Sequence, residues 1–318
     1  MNKNANRSKT KEDIWSGKNI LVTGGRGFVG SHVLHILKET RGVNSSQILI
    51  PSSKADDLRV FANAERLVKQ ADIVLHLASD VGGISYSSTH QATQLRNCLL
   101  MDLNIFEAVS LSQTEKFVCI SSAVAYPENA SSPLKEEDLF NGFPAKGGYG
   151  YGIAKRMSAA FSRAYHDEKG VEATVLLSTN AYGPGDSFDL KDGHVIPSLI
   201  RKCLTEKTLN VWGDGTAVRD FIYVKDLANA IVSAGESSWI PEPVNIGSGD
   251  GVQIKDLVEK IVMLTGFSGD VVFDASKPSG QKTRILDTKR AHSVLQFSPH
   301  YSLEKGLAET IAWYKEQQ

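Results

Sequence analysis

No apolar run in the 318-residue chain approaches the ~18–20 residues that a membrane-spanning helix needs. The first seventeen residues are polar and basic and lack the apolar core of a secretion signal, so residues 1–17 are expected to be a flexible tail. Cysteine is scarce. Cys98, Cys119 and Cys203 are odd in number, which argues against a disulfide framework, and their spacing fits no metal site. Each stands among apolar neighbours and reads as a small buried hydrophobe. Neither sign of charge predominates: 35 Lys and Arg face 36 Asp and Glu, for a net charge of -1. That balance removes the electrostatic ground for binding nucleic acid or an anionic membrane. Repeats and low-complexity tracts are missing too. These absences predict a soluble cytoplasmic protein, with length for about two domains of ~150 residues.

What is present is organised around Asn19–Gly30. Ile20, Leu21 and Val22 form the short apolar run of a buried parallel strand. Gly24, Gly27 and Gly30 follow at a spacing of three, and Val29, Val33, Leu34, Ile36 and Leu37 then recur at helical intervals. Strand, glycine turn and helix are the context of the dinucleotide fingerprint. Glycine permits the tight turn and the close approach of backbone to a pyrophosphate, which rests on the positive end of the helix. Arg26, Phe28 and Val29 stand on the same turn and join the glycines as candidate cofactor contacts.

A second strand over Gln47–Ile50 ends in Pro51-Ser52-Ser53-Lys54. An acidic side chain at this point usually binds the ribose 2′-hydroxyl. Ser52, Ser53 and Lys54, with Arg26, offer donors and positive charge instead, which favours NADP over NAD. Asp57 and Leu58 are candidates for the adenine side. A third strand, Asp72–Leu77, runs into Ala78 and Ser79, small residues that let backbone pass close to a cofactor. A helix is expected over His90–Ser112, with Leu95, Leu99, Leu103 and Phe106 packed on the sheet. Phe117–Ser121 and Ala173–Leu177 supply the fourth and fifth strands, and Ser178 and Asn180 follow as further cofactor contacts. The alternation predicts an α/β fold: a Rossmann-type, doubly wound parallel sheet over 18–180. Beyond Asn180 the pattern breaks into shorter elements, which predicts a smaller C-terminal α/β substrate domain over 181–219 and 249–318. The segment 220–248 is expected to return to the first domain. Glu136, Glu137 and Asp138 read as a solvated acidic loop.

Tyr151 and Lys155 stand at i and i+4, on one face of a helix. An ammonium beside a phenol favours the phenolate, as a proton donor to a carbonyl requires. Ser121 and Ser122 close the fourth strand, at the carboxyl end where ligands bind in open α/β sheets.

With these residues in place, the chain resembles the extended short-chain dehydrogenases/reductases that act on nucleotide sugars. The likeness is closest to the GDP-L-fucose synthase family, with some similarity to GDP-mannose 3,5-epimerase. It spans Asn19 to Tyr314 and rests on Thr23–Gly30, Val81–Ile84, Ala125–Pro127, Tyr151–Lys155, Thr179–Pro184, His194–Pro197, Trp212–Thr216 with Arg219, and Asp274–Pro278. The resemblance implies that Tyr151 is the general acid toward a 4-keto group. It implies that Lys155 tunes Tyr151 and binds the nicotinamide ribose, and that Ser122 rather than Ser121 bonds the reacting oxygen. His194 takes the position of the family's acid/base histidine. Asn180, His194, Val195, Lys202, Trp212, Arg219 and Arg284 are the implied contacts to the nucleotide sugar, with the arginines suited to a diphosphate. The family's second acid/base group, a cysteine two residues before Tyr126, is Val124 here. Its lysine before Val81 is Asp80. A homodimer through the helix near His90–Ser112 and the helix bearing Tyr151 is also implied.

The sequence therefore predicts an NADPH-dependent reductase of a nucleotide-linked, GDP-type 4-keto-6-deoxy sugar, without full inversion at C3 and C5 and without a metal. Two other readings stay open: an epimerase with tightly bound NAD(P), and a catalytically silent dinucleotide-binding sensor.

Overall fold

The computed structural model describes residues 14–189, 193–277 and 281–318. Residues 1–13 of the expected tail and Pro278 of the last motif lie outside them. The strands are β1 (Ile20–Thr23), β2 (Ile48–Leu49), β3 (Ile73–His76), β4 (Lys116–Ser122), β5 (Ala173–Ser178), β6 (Asn180–Tyr182), β7 (Thr208–Trp212), β8 (Val218–Tyr223), β9 (Val244–Ile246), β10 (Gly251–Gln253), β11 (Asp270–Asp274) and β12 (Thr283–Arg284). The α-helices are α1 (Phe28–His35), α2 (Phe61–Val68), α3 (Ile84–Thr89), α4 (Gln91–Ser110), α5 (Tyr149–Lys169), α6 (Val195–Thr205), α7 (Val224–Glu236), α8 (Ile254–Thr265), α9 (Lys289–Leu295) and α10 (Leu303–Glu316).

Six strands form one parallel sheet in the order β2-β1-β3-β4-β5-β9. Its strands are apolar on both faces because helices cover both. Ile20 and Val22 enter a core with α1 and α7, whereas Leu21 between them enters a core with α2 and α4. The chain reverses direction across the sheet between β1 and β3, where the carboxyl ends of two strands open a crevice. The doubly wound α/β architecture read from the sequence is the one found.

Three expectations need correction. Trp15 is only 1% exposed, and its indole Nε1 donates to Glu236 Oε1 at 2.9 Å. Ordered structure therefore begins before residue 18, with Trp15 lying so close to Gly235 on α7 that a side chain there would strike the indole. On α4 the sheet-facing stripe is Gln94, Cys98, Asp102, Ile105, Phe106 and Val109, while Leu103 is exposed. The leucine spacing is helical, but the polar residues face inward because partners satisfy them there. Glu136 is buried, with Oε1 accepting from the Asn245 backbone N–H at 2.9 Å, so it is not part of a solvated loop.

A second unit is built on β8, which pairs with β6, β10 and β12, and on the parallel pair β7 and β11. Its core joins α6, α8 and α10 through Ile196, Ile200, Leu257, Ile261, Leu307 and Ile311. Within 220–248, α7 and β9 lie in the first unit and β8 in the second. Late in the chain, Ala291 and Leu295 of α9 pack back on the first core. The cleft lies between the two units.

The burial of Trp15 generates a direct test. Trp15→Ala is expected to destabilise the protein by about 3–5 kcal/mol, read from urea unfolding. A loss below about 1 kcal/mol would show that the turn before β1 contributes nothing to the core.

Candidate active site

The crevice continues into a cleft of ≈ 1360 Å³. At its floor the glycine turn leaves β1 with Gly24 at φ +67°, a left-handed conformation suited to glycine. A Cβ there would lie 2.8 Å from Ala78 N, and one on Gly30 would lie 2.2 Å from Gly24 O. Backbone therefore packs directly on backbone, and α1 begins at the cleft. Only a ligand with a slim, anionic middle suits such a cradle.

Of the residues singled out in the sequence, the cleft is lined by Ser122, Tyr151, Lys155, His194, Arg219 and Arg284, and by all the cofactor candidates except Lys54. Lys54 is exposed on the turn after β2. Three substrate candidates also lie outside the lining. Val195 is exposed at the start of α6, Lys202 Nζ donates to Asn210 O at 3.0 Å, and Trp212 is half-exposed at the end of β7.

Two close approaches position the Tyr151–Lys155 face. A side chain on Gly152 would strike Val124 O, so glycine lets the first turn of α5 rest against the end of β4. Ser121 Oγ then donates to Lys155 O at 2.5 Å. That bond occupies Ser121, while Ser122 Oγ accepts only a long bond from Val124 N at 3.4 Å and lies on the cleft wall. The Lys155 ammonium is 2% exposed and donates to Ile120 O at 3.2 Å. Burial disfavours its charge, but neighbouring groups, Asp102 first among them, outweigh burial and raise its pKa. For Tyr151 the expected lowering is not the net result. Burial raises the phenol's pKa, and the Lys155 charge works against that rise.

Across the cleft, His194 Nδ1 meets Asp186 Oδ1 at 3.4 Å, and this carboxylate raises the imidazole's pKa despite partial burial. Arg219 and Arg284 are register partners on the parallel strands β8 and β12. Burial lowers the pKa of Arg219. Burial, then repulsion from Arg219, pulls Arg284 down to about 10. Like charges set side by side on one sheet face are unfavourable, so the pair is a ready receptor for an anion.

The sequence reading missed Asp186 and a buried polar chain behind the cleft. Thr23 Oγ1 lies 2.7 Å from His76 Nδ1, His76 Nε2 lies 3.1 Å from Asp102 Oδ1, and Ser158 Oγ donates to Asp102 Oδ2 at 2.7 Å. The available signal was an acidic residue in the middle of a helical stripe that also carries Cys98, Ile105 and Phe106. Asp80 accepts from Tyr86 OH at 3.0 Å and from Asn97 Nδ2 at 2.7 Å, which ties α3 to α4 at the rim.

The model of the NAD dependent epimerase/dehydratase family matches residues 20–247. The chain belongs to that family. It is 34% identical over 304 residues to a GDP-L-fucose synthase of Sinorhizobium fredii, covering 93% of this chain and 95% of that one. Among solved structures, it is similar to a GDP-6-OMe-4-keto-L-xylo-heptose reductase from C. jejuni at TM-score 0.87 and 26% identity, covering 94% and 98% of the two chains. A GDP-L-fucose synthetase from Naegleria fowleri bound to NADP superposes at TM-score 0.86 with 26% identity and 95% of each chain covered. The family region ends with β9, so it holds the glycine turn, Tyr151, His194 and Arg219, whereas Arg284 lies beyond it. Among the described residues no helix is long and apolar enough to cross a membrane.

The His194–Asp186 contact predicts a titration. Asp186→Asn removes the charge that raises the imidazole's pKa, so the His194 pKa is expected to fall, as read by NMR of the ring protons. An unchanged pKa would show that Asp186 does not act on His194.

Proposed function

We propose that this chain is an NADPH-dependent reductase of a GDP-linked 4-keto-6-deoxy sugar that leaves C3 and C5 uninverted. The observation that carries the reading is the sharing of one cleft by Ser122, Tyr151 and Lys155 with Val124. Cofactor binding is supported by the glycine cradle. NADP is favoured because the acids that follow β2 are already engaged: Asp56 by Ser52 N and Arg66, Asp57 by a two-point contact with Arg59. When bound, the cofactor supplies the hydride. Ser122 Oγ hydrogen-bonds the C4 oxygen, and Tyr151 donates its proton to that oxygen. Lys155 holds a positive charge beside the phenol and so lowers the cost of the phenolate that remains. Arg219 and Arg284 pair with the diphosphate.

The side chain of Val124 neither gives nor takes a proton. One ring face thus lacks the group needed to epimerise it, and His194 alone serves the other. The named activities of the relatives, GDP-L-fucose synthesis and GDP-heptose reduction, agree with a GDP-sugar substrate. The same reading includes a homodimer formed through α4 and the Tyr151-bearing α5; light scattering on the purified protein tests it.

Incubation with GDP-4-keto-6-deoxymannose and NADPH is the decisive experiment. NADPH absorbance should fall, and NMR should show a product with C3 and C5 unchanged. A fucose-configured product would overturn the loss of epimerisation. Turnover of a GDP-linked keto-heptose alone would keep the chemistry and move the substrate. Tyr151→Phe should lower kcat by about 10²–10⁴-fold with NADPH binding retained. Val124→Cys should introduce solvent-deuterium exchange next to the keto group, and the natural chain is expected to show none.

A further inference from the structure

We propose that Asp102 is the counter-ion of the Lys155 ammonium, a buried positioning residue that keeps this lysine charged and sets the alkaline limit of the reduction. Asp102 has no surface in the cleft, so it touches neither cofactor nor sugar; it acts through Lys155. The inference rests on the reductase reading only for its kinetic arm.

The protons of the buried chain can be placed by counting donors. Thr23 Oγ1 accepts from the backbone N–H groups of Leu77 at 3.0 Å and Ala78 at 3.2 Å. With both lone pairs taken, its own proton goes to His76 Nδ1. The imidazole is then neutral and carries its proton on Nε2, which it donates to Asp102 Oδ1. Ser158 donates to the other carboxylate oxygen. Both acceptors are used as acceptors, so Asp102 is ionised, and His76 does not neutralise it.

A carboxylate at 0% exposure requires a compensating charge. Lys155 lies one helical turn from Ser158 on α5, on the face that meets α4. Among the described residues it makes no ion pair, and its one hydrogen bond goes to Ile120 O. Both residues are buried, so the two charges act on each other through the protein interior without direct contact. Burial opposes both charged forms. Lys155, with the bonds from His76 and Ser158, holds Asp102 below its ordinary pKa, and Asp102 heads the groups that raise Lys155. The other titratable groups facing this pair are Tyr151 on α5, Cys98 on α4 and Cys119 on β4, and burial keeps both thiols protonated. Asp102 is the one carboxylate among the principal groups that act on Lys155.

The sign of the effect is fixed. Asp102 raises the proton affinity of Lys155 and also that of Tyr151. The reduction needs both protonated. Neutralising Asp102 therefore moves the alkaline fall in kcat toward lower pH, whichever of the two groups titrates first.

The test compares pH–kcat profiles of the full-length wild type and Asp102→Asn with NADPH and the keto-sugar the enzyme reduces. Activity at alkaline relative to neutral pH should drop by roughly tenfold, the scale of one nearby charge in a buried site, with KM for the sugar unmoved. Ser158→Ala, which removes a hydrogen bond but no charge, should leave the alkaline limb in place. A folded Asp102→Asn enzyme with the wild-type limb would overturn the proposal. A second measurement needs no substrate: thermal unfolding of Asp102→Asn, Lys155→Met and the double variant. Charge pairing predicts that the double variant melts above Asp102→Asn, because an uncompensated ammonium has been removed. Losses that simply add would refute it, whatever the sugar proves to be.

Discussion

Lys155 is buried and in the proposed reaction carries its charge, and much of the first unit is arranged to allow both. An isolated ammonium in a protein interior is strongly unfavourable, and losing the proton is the usual escape. Here the escape is opposed from three elements at once. The carbonyl of Ile120 on β4 accepts from the ammonium, the phenol of Tyr151 stands one turn earlier on α5, and the carboxylate of Asp102 approaches from α4. Asp102 in turn is held by His76 on β3, and His76 by Thr23 on β1. The strand that starts the glycine turn is thus linked by hydrogen bonds to the helix that carries Tyr151, the proposed proton donor. Thr23 has a second duty, since it fastens Leu77 and Ala78 where backbone crosses Gly24. Cofactor cradle and proton donor are set by one continuous network.

Much of this was open to sequence reading because it depends on local pattern. β1, β3, β4 and β5 are continuous apolar runs, and a sheet covered on both faces demands that. Gly24 and Gly30 were legible because each is required by close backbone contact rather than by a distant partner. Tyr151 and Lys155 were legible because their spacing equals one helical turn. What the sequence hid is rotation and pairing. Leu95, Leu99 and Leu103 keep perfect helical spacing, yet α4 turns Gln94, Cys98 and Asp102 to the sheet instead. Nothing local announces that Asp102 will meet His76, 26 residues earlier, and Ser158, 56 residues later. Glu136 was misjudged for the same reason: its partner, Asn245, is 109 residues away.

Arg219 and Arg284 pose the opposite electrostatic problem. Neighbouring strands hold two guanidiniums in register, and Arg284 suffers both burial and repulsion. Gln281 Oε1 accepts from Arg284 Nε at 2.7 Å, which fixes the plane of the guanidinium without cancelling its charge. A protein selected only for stability would relieve this pair, whereas one that binds a diphosphate gains from keeping it. Lys155 meets its counter-charge within the protein, whereas in the proposed reaction a bound diphosphate adds opposite charge beside the Arg219–Arg284 pair.

The same separation is what the proposed loss of epimerisation at Val124 requires. The groups proposed for ketone reduction sit on β4 and α5 and are anchored to β1, β3 and α4. Val124 lies on the short 3-10 turn after β4, and His194 lies with Asp186 on the far wall. Gly152 packs against the backbone oxygen of Val124, not against its side chain. Exchange of that side chain therefore leaves the seat of Tyr151 intact. Two proton-transfer systems share the cleft but not their supports, so one can be lost while the other persists. In the proposed reaction His194 has no opposite partner. The Asp186 carboxylate raises the pKa of this half-exposed imidazole, and in the proposed reaction His194 orients a ring hydroxyl while Tyr151 completes the reduction at C4.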